Sequence, residues 1–346
     1  MTRALGAMAI VGRTLASAGA TKSLILMYHR VAEVESDPWS LCVAPQRFAE
    51  QMDALRSVGR PMPLRELTDR IRRGTVPRRA VAVTFDDGYA DNGLLARPVL
   101  ERLGIPATIF VASGIVGRDR AFWWDELHNL FLQPGVLPRV LRIDIAGTTS
   151  EWDLGDAAQI DAAELNAHTG WKASDPPPTT RHDVYRRLSG GLKSLPVLER
   201  ETVLARLREW SGKCMPARGS GPLSRQQVSE LAAGGLIEVG AHTVTHPLLS
   251  ARPLEEQARE IRASRACLQE MIGQSVTSFA YPYGSRCDYT PETVELVRDA
   301  GFSCACTSTA GSVRRRADLF QLPRMHPQNW DGDEFVWRLS RWFASQ

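Results

Sequence analysis

The sequence of 346 residues has little cysteine and no long hydrophobic run. No segment approaches the roughly 18 apolar residues of a transmembrane helix, so no membrane span is predicted. The cysteines form no Cys-x-x-Cys pair and no regular framework, and a chain of this size does not need disulfide stapling. We therefore expect unpaired thiols and a cytoplasmic protein. The six cysteines are Cys42, Cys214, Cys267, Cys287, Cys304 and Cys306.

Strong charge of either sign is also lacking. The formal net charge is +3 and the sequence pI is about 8.6. The arginines are scattered and are not interleaved with aromatic residues, so a nucleic-acid partner is not expected. With 43% hydrophobic and 23% charged residues, the composition is that of an ordinary globular protein.

The N-terminus permits two interpretations. An apolar stretch over residues 4–12 and small residues over 16–20 resemble a secretory signal peptide, but Arg13 interrupts the pattern. We favour an amphipathic segment over residues 1–21 that lies on the protein or on a membrane surface. An exported protein with a cleaved signal is the alternative.

Strand-like and helix-like segments alternate along most of the chain, which predicts an α/β fold with a parallel sheet. Residues 22–113 and 223–346 are predicted to form the two parts of a barrel. Residues 114–222 interrupt this alternation of strands and helices and are predicted to be an insertion, or cap, after the third strand. The strand-like runs are Ser23–Tyr28, Ala80–Phe85, Pro106–Ala112, Leu236–Val239, Val276–Tyr281 and Phe302–Thr307. The helix-like segments between them include Gln46–Val58, Asn92–Leu103, Arg225–Ala233, Leu254–Ile272 and Glu292–Ala300.

The second strand-like run ends abruptly in two acidic residues and a glycine, Asp86-Asp87-Gly88. Adjacent residues of an extended segment point to opposite sides, so the two carboxylates cannot have the same role in a site. One can bind a metal ion while the other stays free as a base.

Two histidines follow the fourth strand-like run in the same way. His242 and His246 are four residues apart, which predicts that both imidazoles lie on one face of a helical turn and chelate one ion. Two histidines and one carboxylate leave coordination positions open for water and substrate, as in catalytic sites. Turn chemistry or a solvated helix face would explain either motif alone, but not both at the carboxyl ends of buried strands.

These residues resemble the signature motifs of a known family. Thr84–Tyr89 and His242–His246 resemble the first two motifs of the polysaccharide deacetylases, the NodB-homology or carbohydrate esterase family 4 enzymes. Phe279–Gly284 is similar to the third motif, and Ser23–Val31 to the opening strand of many members. The resemblance covers residues 22–113 and 223–330 and leaves the middle unmatched.

The resemblance implies a distorted (β/α)7 barrel and a metal-dependent carbohydrate de-N-acetylase. Its substrate would be an N-acetylated amino sugar in a glycan or in a lipid- or nucleotide-linked precursor. The implied roles are metal binding for Asp87, His242 and His246, with zinc as the expected ion, general base for Asp86, and backbone oxyanion donor for Tyr283. Substrate binding is expected of Tyr89 and Tyr281 beside the motifs and of Trp123 and Trp124, which follow the third strand.

Two positions depart from the family pattern. The family's general acid is a late histidine in a Leu-x-His motif; here His326 is the candidate, with Arg324 in the leucine position, and His29 is a second histidine near the site. Ala280 stands where the third motif commonly has an arginine that orients the base. Arg324 is expected to supply that guanidinium, because arginine pairs bidentately with carboxylates.

Three other functions remain open at this point. The same fold could hydrolyse another non-peptide C–N bond, in an amide, ureide or imide. Two histidines and a carboxylate also occur in iron oxygenases, although here they end βα units rather than lying on an all-β fold. Ala280 and the altered ending would also fit a glycan-binding descendant without activity.

Overall fold

The computed structural model describes residues 22–213, 221–314 and 316–344. The amphipathic segment predicted over residues 1–21 and Cys214 lie outside these ranges. In chain order the strands are β1 Leu24–Tyr28, β2 Arg30–Val31, β3 Cys42–Val43, β4 Arg60–Pro61, β5 Ala80–Phe85, β6 Ala107–Val111, β7 Gly135–Val136, β8 Val140–Ile145, β9 Thr148–Asp153, β10 Gln159–Ile160, β11 Ile237–Ala241, β12 Ser278–Ala280 and β13 Cys304–Cys306.

The helices pack outside the sheet or form the insertion. A π-helical stretch, Asn92–Ala96, leads into the third of them, and 3-10 turns lie at Gly155–Ala158 and Leu249–Ala251. The α-helices are α1 Pro45–Val58, α2 Leu64–Arg73, α3 Arg97–Leu103, α4 Trp123–Phe131, α5 Ala162–Asn166, α6 Thr180–Ser194, α7 Val197–Ser211, α8 Arg225–Ala233, α9 Leu254–Ile272, α10 Pro291–Asp299 and α11 Gly332–Ala344.

Six parallel strands form a curved sheet in the order β1-β5-β6-β11-β12-β13, with β4 beside β5. A late segment fills the space between the first and last of these strands. Met325 bridges Leu26 in parallel, and Leu322 bridges Cys306 in the same sense. The segment between Leu322 and Met325 therefore closes the sheet into a ring, and the predicted α/β barrel is confirmed.

The barrel strands are apolar along their whole length because both of their faces are covered. Every residue of β1, β5 and β6 is buried, as expected for parallel strands between a filled interior and an outer layer of helices. The predicted bounds of β5, α8 and α9 agree with the structure. Gly273, which follows Ile272, adopts φ 66° and caps α9.

The chain between β6 and β11, called the insertion below (residues 114–222), has a hydrophobic core of its own. Helices α4, α6 and α7 and the β8–β9 hairpin surround buried side chains such as Phe131 and Leu204. Tyr89, which follows β5, belongs to this second cluster rather than to the barrel core. The insertion is thus anchored on the edge of the barrel where β5 ends.

Five of the six cysteines lie in the described residues, and all five are free thiols. Cys304 and Cys306 are buried in β13, as small apolar side chains would be. Among the described residues no helix has the length and apolar character needed to cross a bilayer.

Candidate active site

Asp86 and Asp87 follow β5 in a sharp turn, and their carboxylates contact different partners. Asp87 adopts φ 73° and Gly88 φ 83°, and a Cβ on Gly88 would lie 3.1 Å from a methyl carbon of Val111. The chain therefore turns sharply at a point where a side chain at position 88 would be both strained and crowded. Asp86 and Asp87 are each buried, with 3% and 4% of their surface exposed.

Asp86 forms a bidentate ion pair with Arg324. Nη1 and Nη2 of Arg324 donate to the two carboxylate oxygens at 2.7 and 2.6 Å. Nε of the same arginine donates to the Thr307 carbonyl at 2.8 Å, so the guanidinium is held from two sides. Burial alone would raise the pKa of Asp86, but the pairing with Arg324 outweighs it and the pKa lies below its usual value.

Asp87, His242 and His246 converge on one point. Oδ1 of Asp87 lies 3.4 Å from Nε2 of His242 and 3.3 Å from Nε2 of His246, and all three side chains are buried. Ligand atoms about 2.1 Å from a tetrahedral zinc ion lie ~3.4 Å apart, which is the spacing seen here. These three residues can hold a metal ion.

The tautomer of His242 is set by the barrel backbone. Nδ1 of His242 lies 2.7 Å from the carbonyl oxygen of Ala280, so Nδ1 carries the proton and Nε2 is left as a ligand atom. Burial lowers the pKa of His242, but the hydrogen bond to Asp87, the charges of Asp86 and Asp87 and the Ala280 carbonyl together outweigh it, and the pKa is raised. For His246 burial dominates and the pKa is lowered. Position 280 thus contributes its backbone to the site although it lacks the family's arginine side chain.

The prediction that His242 and His246 lie on a helical turn is wrong. They lie on an irregular loop in which Thr243 and His246 adopt φ 63° and 55°. Glu260 of α9 holds this loop, accepting hydrogen bonds from the backbone N–H groups of Val244 and Thr245 at 2.8 and 2.9 Å. Left-handed residues bring the two imidazole centroids within 4.8 Å of each other without a helix.

Tyr283 follows β12 and lies against His246 of the candidate metal site. Its backbone adopts φ 61°, and its ring centroid is 4.7 Å from that of His246. The Tyr283 N–H has no hydrogen-bond acceptor among the described residues. Left-handed non-glycine residues are costly and cluster at functional sites, and Asp87, Thr243, His246 and Tyr283 are four such residues in one place.

His29 and His326 face each other beside the Asp86–Arg324 pair. Their ring centroids are 5.5 Å apart. Burial, the neighbouring His29 and the guanidinium of Arg324 together lower the pKa of His326 to about 3. His326 is therefore neutral at pH 7 in the free protein, and His29 is close enough to influence it.

Tyr89 and Trp124 belong to a buried network beside the candidate metal site. Nε1 of Trp124 donates to the Tyr89 hydroxyl at 2.6 Å, and that hydroxyl donates to Asp125 at 2.9 Å. The indole of Trp124 lies 4.9 Å from the ring of His246. Burial raises the pKa of Asp125 to about 7. Trp124 thus packs against His246, and Tyr89 holds Trp124 in place.

The other two residues assigned to substrate binding lie in different surroundings. Trp123 lines a small cavity beside the site, under the guanidinium of Arg200. Tyr281 lies in the barrel core, where it stacks on Tyr289 and donates to the carbonyl of Phe320 at 2.9 Å. These contacts are with residues of the barrel core and not with Asp86, Asp87, His242 or His246.

Sequence reasoning missed several residues that shape the site. Glu260, Arg200, Lys193 and Asp125 lie near the ligands only because the fold brings distant segments together. No local motif marks them, and each looks like an ordinary charged residue of a helix.

Taken together, a parallel α/β barrel carries a paired carboxylate and a two-histidine, one-carboxylate cluster at the carboxyl ends of its strands, where barrel enzymes carry their active sites. A sequence model of the polysaccharide deacetylase family matches residues 73–171 and 201–305, more than half of the chain. The protein belongs to the polysaccharide deacetylase family.

The matched ranges differ from those expected from the motifs alone. The family match extends into the insertion, up to residue 171 and again from residue 201, where no resemblance was recognised. It stops before Arg324 and His326 and begins after His29. The residues that surround the base are therefore the part of the site that the family match does not cover.

Individual relatives agree with this assignment. "Putative polysaccharide deacetylase YxkH" of Bacillus subtilis (strain 168) is 35% identical over 108 residues, which are 31% of this chain and 37% of that protein. IcaB from Ammonifex degensii has the same fold, with a TM-score of 0.57, 23% identity, and coverage of 94% of this chain and 98% of the other. The Streptococcus pyogenes deacetylase PplD, solved with acetate, has a TM-score of 0.56 at 17% identity, with 93% and 99% coverage.

Proposed function

We propose that this protein is a metal-dependent hydrolase that removes the N-acetyl group from an amino sugar. The observation that carries the proposal is the pair of clusters at one barrel edge: Asp86 bound bidentately by Arg324, and Asp87 within 3.3 to 3.4 Å of His242 and His246. A base held apart from a ligand set is what metal-assisted hydrolysis requires.

Asp87, His242 and His246 would hold the ion, and zinc suits this donor set and spacing best. When bound, the ion acidifies a water molecule and polarises the acetamide carbonyl. The protein contributes a preformed geometry, because Ala280 fixes the His242 tautomer and Glu260 fixes the loop.

Asp86 acts as general base. Its depressed pKa keeps it ionised at neutral pH, and Arg324 holds both of its oxygens in place. Attack of water on the acetamide carbon gives a tetrahedral oxyanion, and the Tyr283 N–H is available to donate a hydrogen bond to it. Negative charge developing on the substrate would raise the pKa of His326, so that its neutral imidazole takes up a proton from solvent and passes it to the leaving amine. Asp86 holds the proton of the attacking water and releases it to solvent when the products leave.

The substrate class and the site of action extend the proposal further. Free thiols throughout the described residues suit a reducing compartment. We therefore favour a lipid- or nucleotide-linked precursor in the cytoplasm over finished polymer outside the cell. Acetate release from a nucleotide-linked N-acetylated sugar and from the corresponding polymer can be compared directly, and a preference for polymer would contradict this part of the proposal.

Purified protein supplied with Zn²⁺ tests the reaction itself. We expect acetate release from at least one N-acetylated amino sugar, supplied as glucosamine oligomers and as nucleotide-linked sugars, and none from a panel of simple amides, ureides and imides. Release confined to the compounds that contain no sugar would replace the proposal with the alternative of another C–N hydrolase. Binding of oligomers without any acetate release would favour the inactive, glycan-binding alternative.

A further inference from the structure

Four arginines are buried in the described residues, and three of them have obvious partners. Arg324 pairs with Asp86, Arg30 donates to Asp91 at 3.0 Å, and Arg181 donates to four backbone carbonyls at 2.5 to 3.2 Å. The fourth, Arg200 on α7, is different. Buried cations are normally paired or fully hydrogen-bonded, so the exception calls for an explanation.

Arg200 is 3% exposed and forms one weak hydrogen bond, from Nη2 to the Thr245 carbonyl at 3.3 Å. Its Nε and Nη1 atoms have no partner among the described residues. Burial lowers the pKa of the guanidinium, although Glu201 and Glu260 attract it from a distance. Unpaired buried donors destabilise a fold. Stabilisation of the fold therefore does not explain why an arginine occupies position 200.

Its position is next to the metal ligands. Thr245 lies in the loop between His242 and His246, and the guanidinium carbon of Arg200 is 5.3 Å from the ring centre of Trp123. Arg200, Trp123 and Thr245 line one cavity of about 40 Å³. A cavity needs about 10–15 Å³ to hold one water molecule, so this one has room for a small group and not for a sugar ring.

The surroundings of the cavity are positive. Arg118 and Arg120 are exposed side chains in its lining. Glu126 and Glu201 also line it, but Glu126 pairs with Arg208, and Glu201 lies 3.7 Å from both Arg120 and Arg208. No carboxylate lies within ion-pair distance of Arg200 among the described residues.

A second cation of the insertion approaches the same site from another helix. Nζ of Lys193 on α6 lies 4.2 Å from the ring centre of Tyr283 and pairs with Asp288 at 2.6 Å. Tyr283 in turn contacts His246. Because Asp288 balances the charge of Lys193, Arg200 is the unpaired cation beside the loop of His246 among the described residues.

We propose that Arg200 binds an anionic group of the substrate, a carboxylate or a phosphate, close to the acetamide that is hydrolysed. The acceptor oxygens of that group supply the hydrogen bonds that Nε and Nη1 lack. The proposal rests on the proposed function and narrows its substrate to an acidic or phosphorylated amino sugar. It assigns the choice of substrate to the insertion and leaves the hydrolytic step to the barrel.

Binding to protein freed of metal by a chelator tests this without any turnover. Calorimetric titrations compare N-acetylmuramic acid with its methyl ester, and N-acetylglucosamine 1-phosphate with the methyl glycoside of N-acetylglucosamine. In at least one of the two pairs, we expect the charged compound to bind about tenfold more tightly than its neutral partner. The pair that shows this preference identifies the bound anion as a carboxylate or as a phosphate. Equal affinities within both pairs would overturn the proposal even if acetate release is observed.

Arg200→Met and Arg200→Gln should both abolish the preference, because each removes the charge at similar length. Arg206→Met, an exposed position on the same helix, is the control and should keep it. Without ligand, we expect the Tm of the Arg200 variants to equal or exceed that of the parent protein. A preference that survives in both variants, or a Tm several degrees lower in both, would overturn the proposal in favour of a structural role.

Discussion

The buried charges at the barrel edge and Arg200 in the insertion have opposite surroundings. At the barrel edge Asp86, Asp87 and Arg324 are buried and each has a close partner. In the insertion Arg200 is equally buried and lacks partners for two of its donors. The ion pair of Asp86 and Arg324 is thus complete before substrate arrives, whereas Arg200, unlike Arg181 of the same insertion, is left with donors that a bound group can fill. We infer from this difference that the barrel edge carries out the hydrolysis and that the insertion selects the substrate.

The largest expected effect comes from removing the base. Asp86→Asn keeps the shape of the side chain but cannot accept the proton, so kcat/KM for acetate release should fall about 10³-fold. Metal content should stay the same, because Asp86 is not a ligand. Asp69→Asn, on the exposed side of α2, is the control and should have parental activity. Loss of metal from Asp86→Asn would show that the two aspartates share one role.

Arg324→Met should weaken both activity and stability. The variant leaves Asp86 buried without its partner, which costs about 3–5 kcal/mol in unfolding free energy. Since Arg324 depresses the pKa of Asp86 and burial raises it, the acidic limb of kcat/KM should move to higher pH. Denaturant unfolding and a pH profile give the two readouts.

Arg181→Met is the matched control for that variant. It removes a buried guanidinium that binds backbone carbonyls inside the insertion, so it should lower stability without moving the acidic limb. An unchanged limb in Arg324→Met would contradict the role of Arg324 as the residue that orients the base.

The two histidines near the base should differ in their effects. His326→Ala should reduce kcat about 10²-fold with KM little changed, because a proton donor acts only in the transition state. His29→Ala should cost less, since His29 acts on His326 through a ring contact at 5.5 Å. A larger loss of kcat in His29→Ala than in His326→Ala would make His29 the proton donor instead of His326. Steady-state kinetics of both variants decide between them.

The smallest effect is expected inside the barrel core. Tyr281→Phe leaves the Phe320 carbonyl without its donor and should destabilise the protein by about 1 kcal/mol. Acetate release should remain within twofold of the parent, because the Tyr281 side chain packs away from the ligands. A loss of substrate affinity in this variant would restore the assignment of Tyr281 to substrate binding.

The barrel and the positions of Asp86, Asp87, His242 and His246 were predictable because the signal is local. Each lies where an apolar run ends, and strand ends meet at one edge of a parallel barrel. The pairing of Arg324 with Asp86 was predictable in outline, since Ala280 left a carboxylate without its usual cation. The geometry places them together at 2.6 Å.

Other features depend on tertiary structure. A spacing of four residues fits a helical turn, but it also fits the loop with left-handed residues at Thr243 and His246 that the protein adopts. The hydroxyl of Tyr281 is occupied by a carbonyl 39 residues away. The isolation of Arg200 is an absence of partners in space, and no pattern along the chain can indicate it.

The central claim is that Asp87, His242 and His246 hold a metal ion on which hydrolysis depends. One titration tests it most directly: acetate release from an N-acetylated sugar substrate is measured after chelation and during stepwise return of Zn²⁺. We predict that activity disappears on chelation and returns to a plateau at one ion per chain, and that His242→Ala never regains it. Activity that persists without metal, or that returns equally in His242→Ala, would contradict the account.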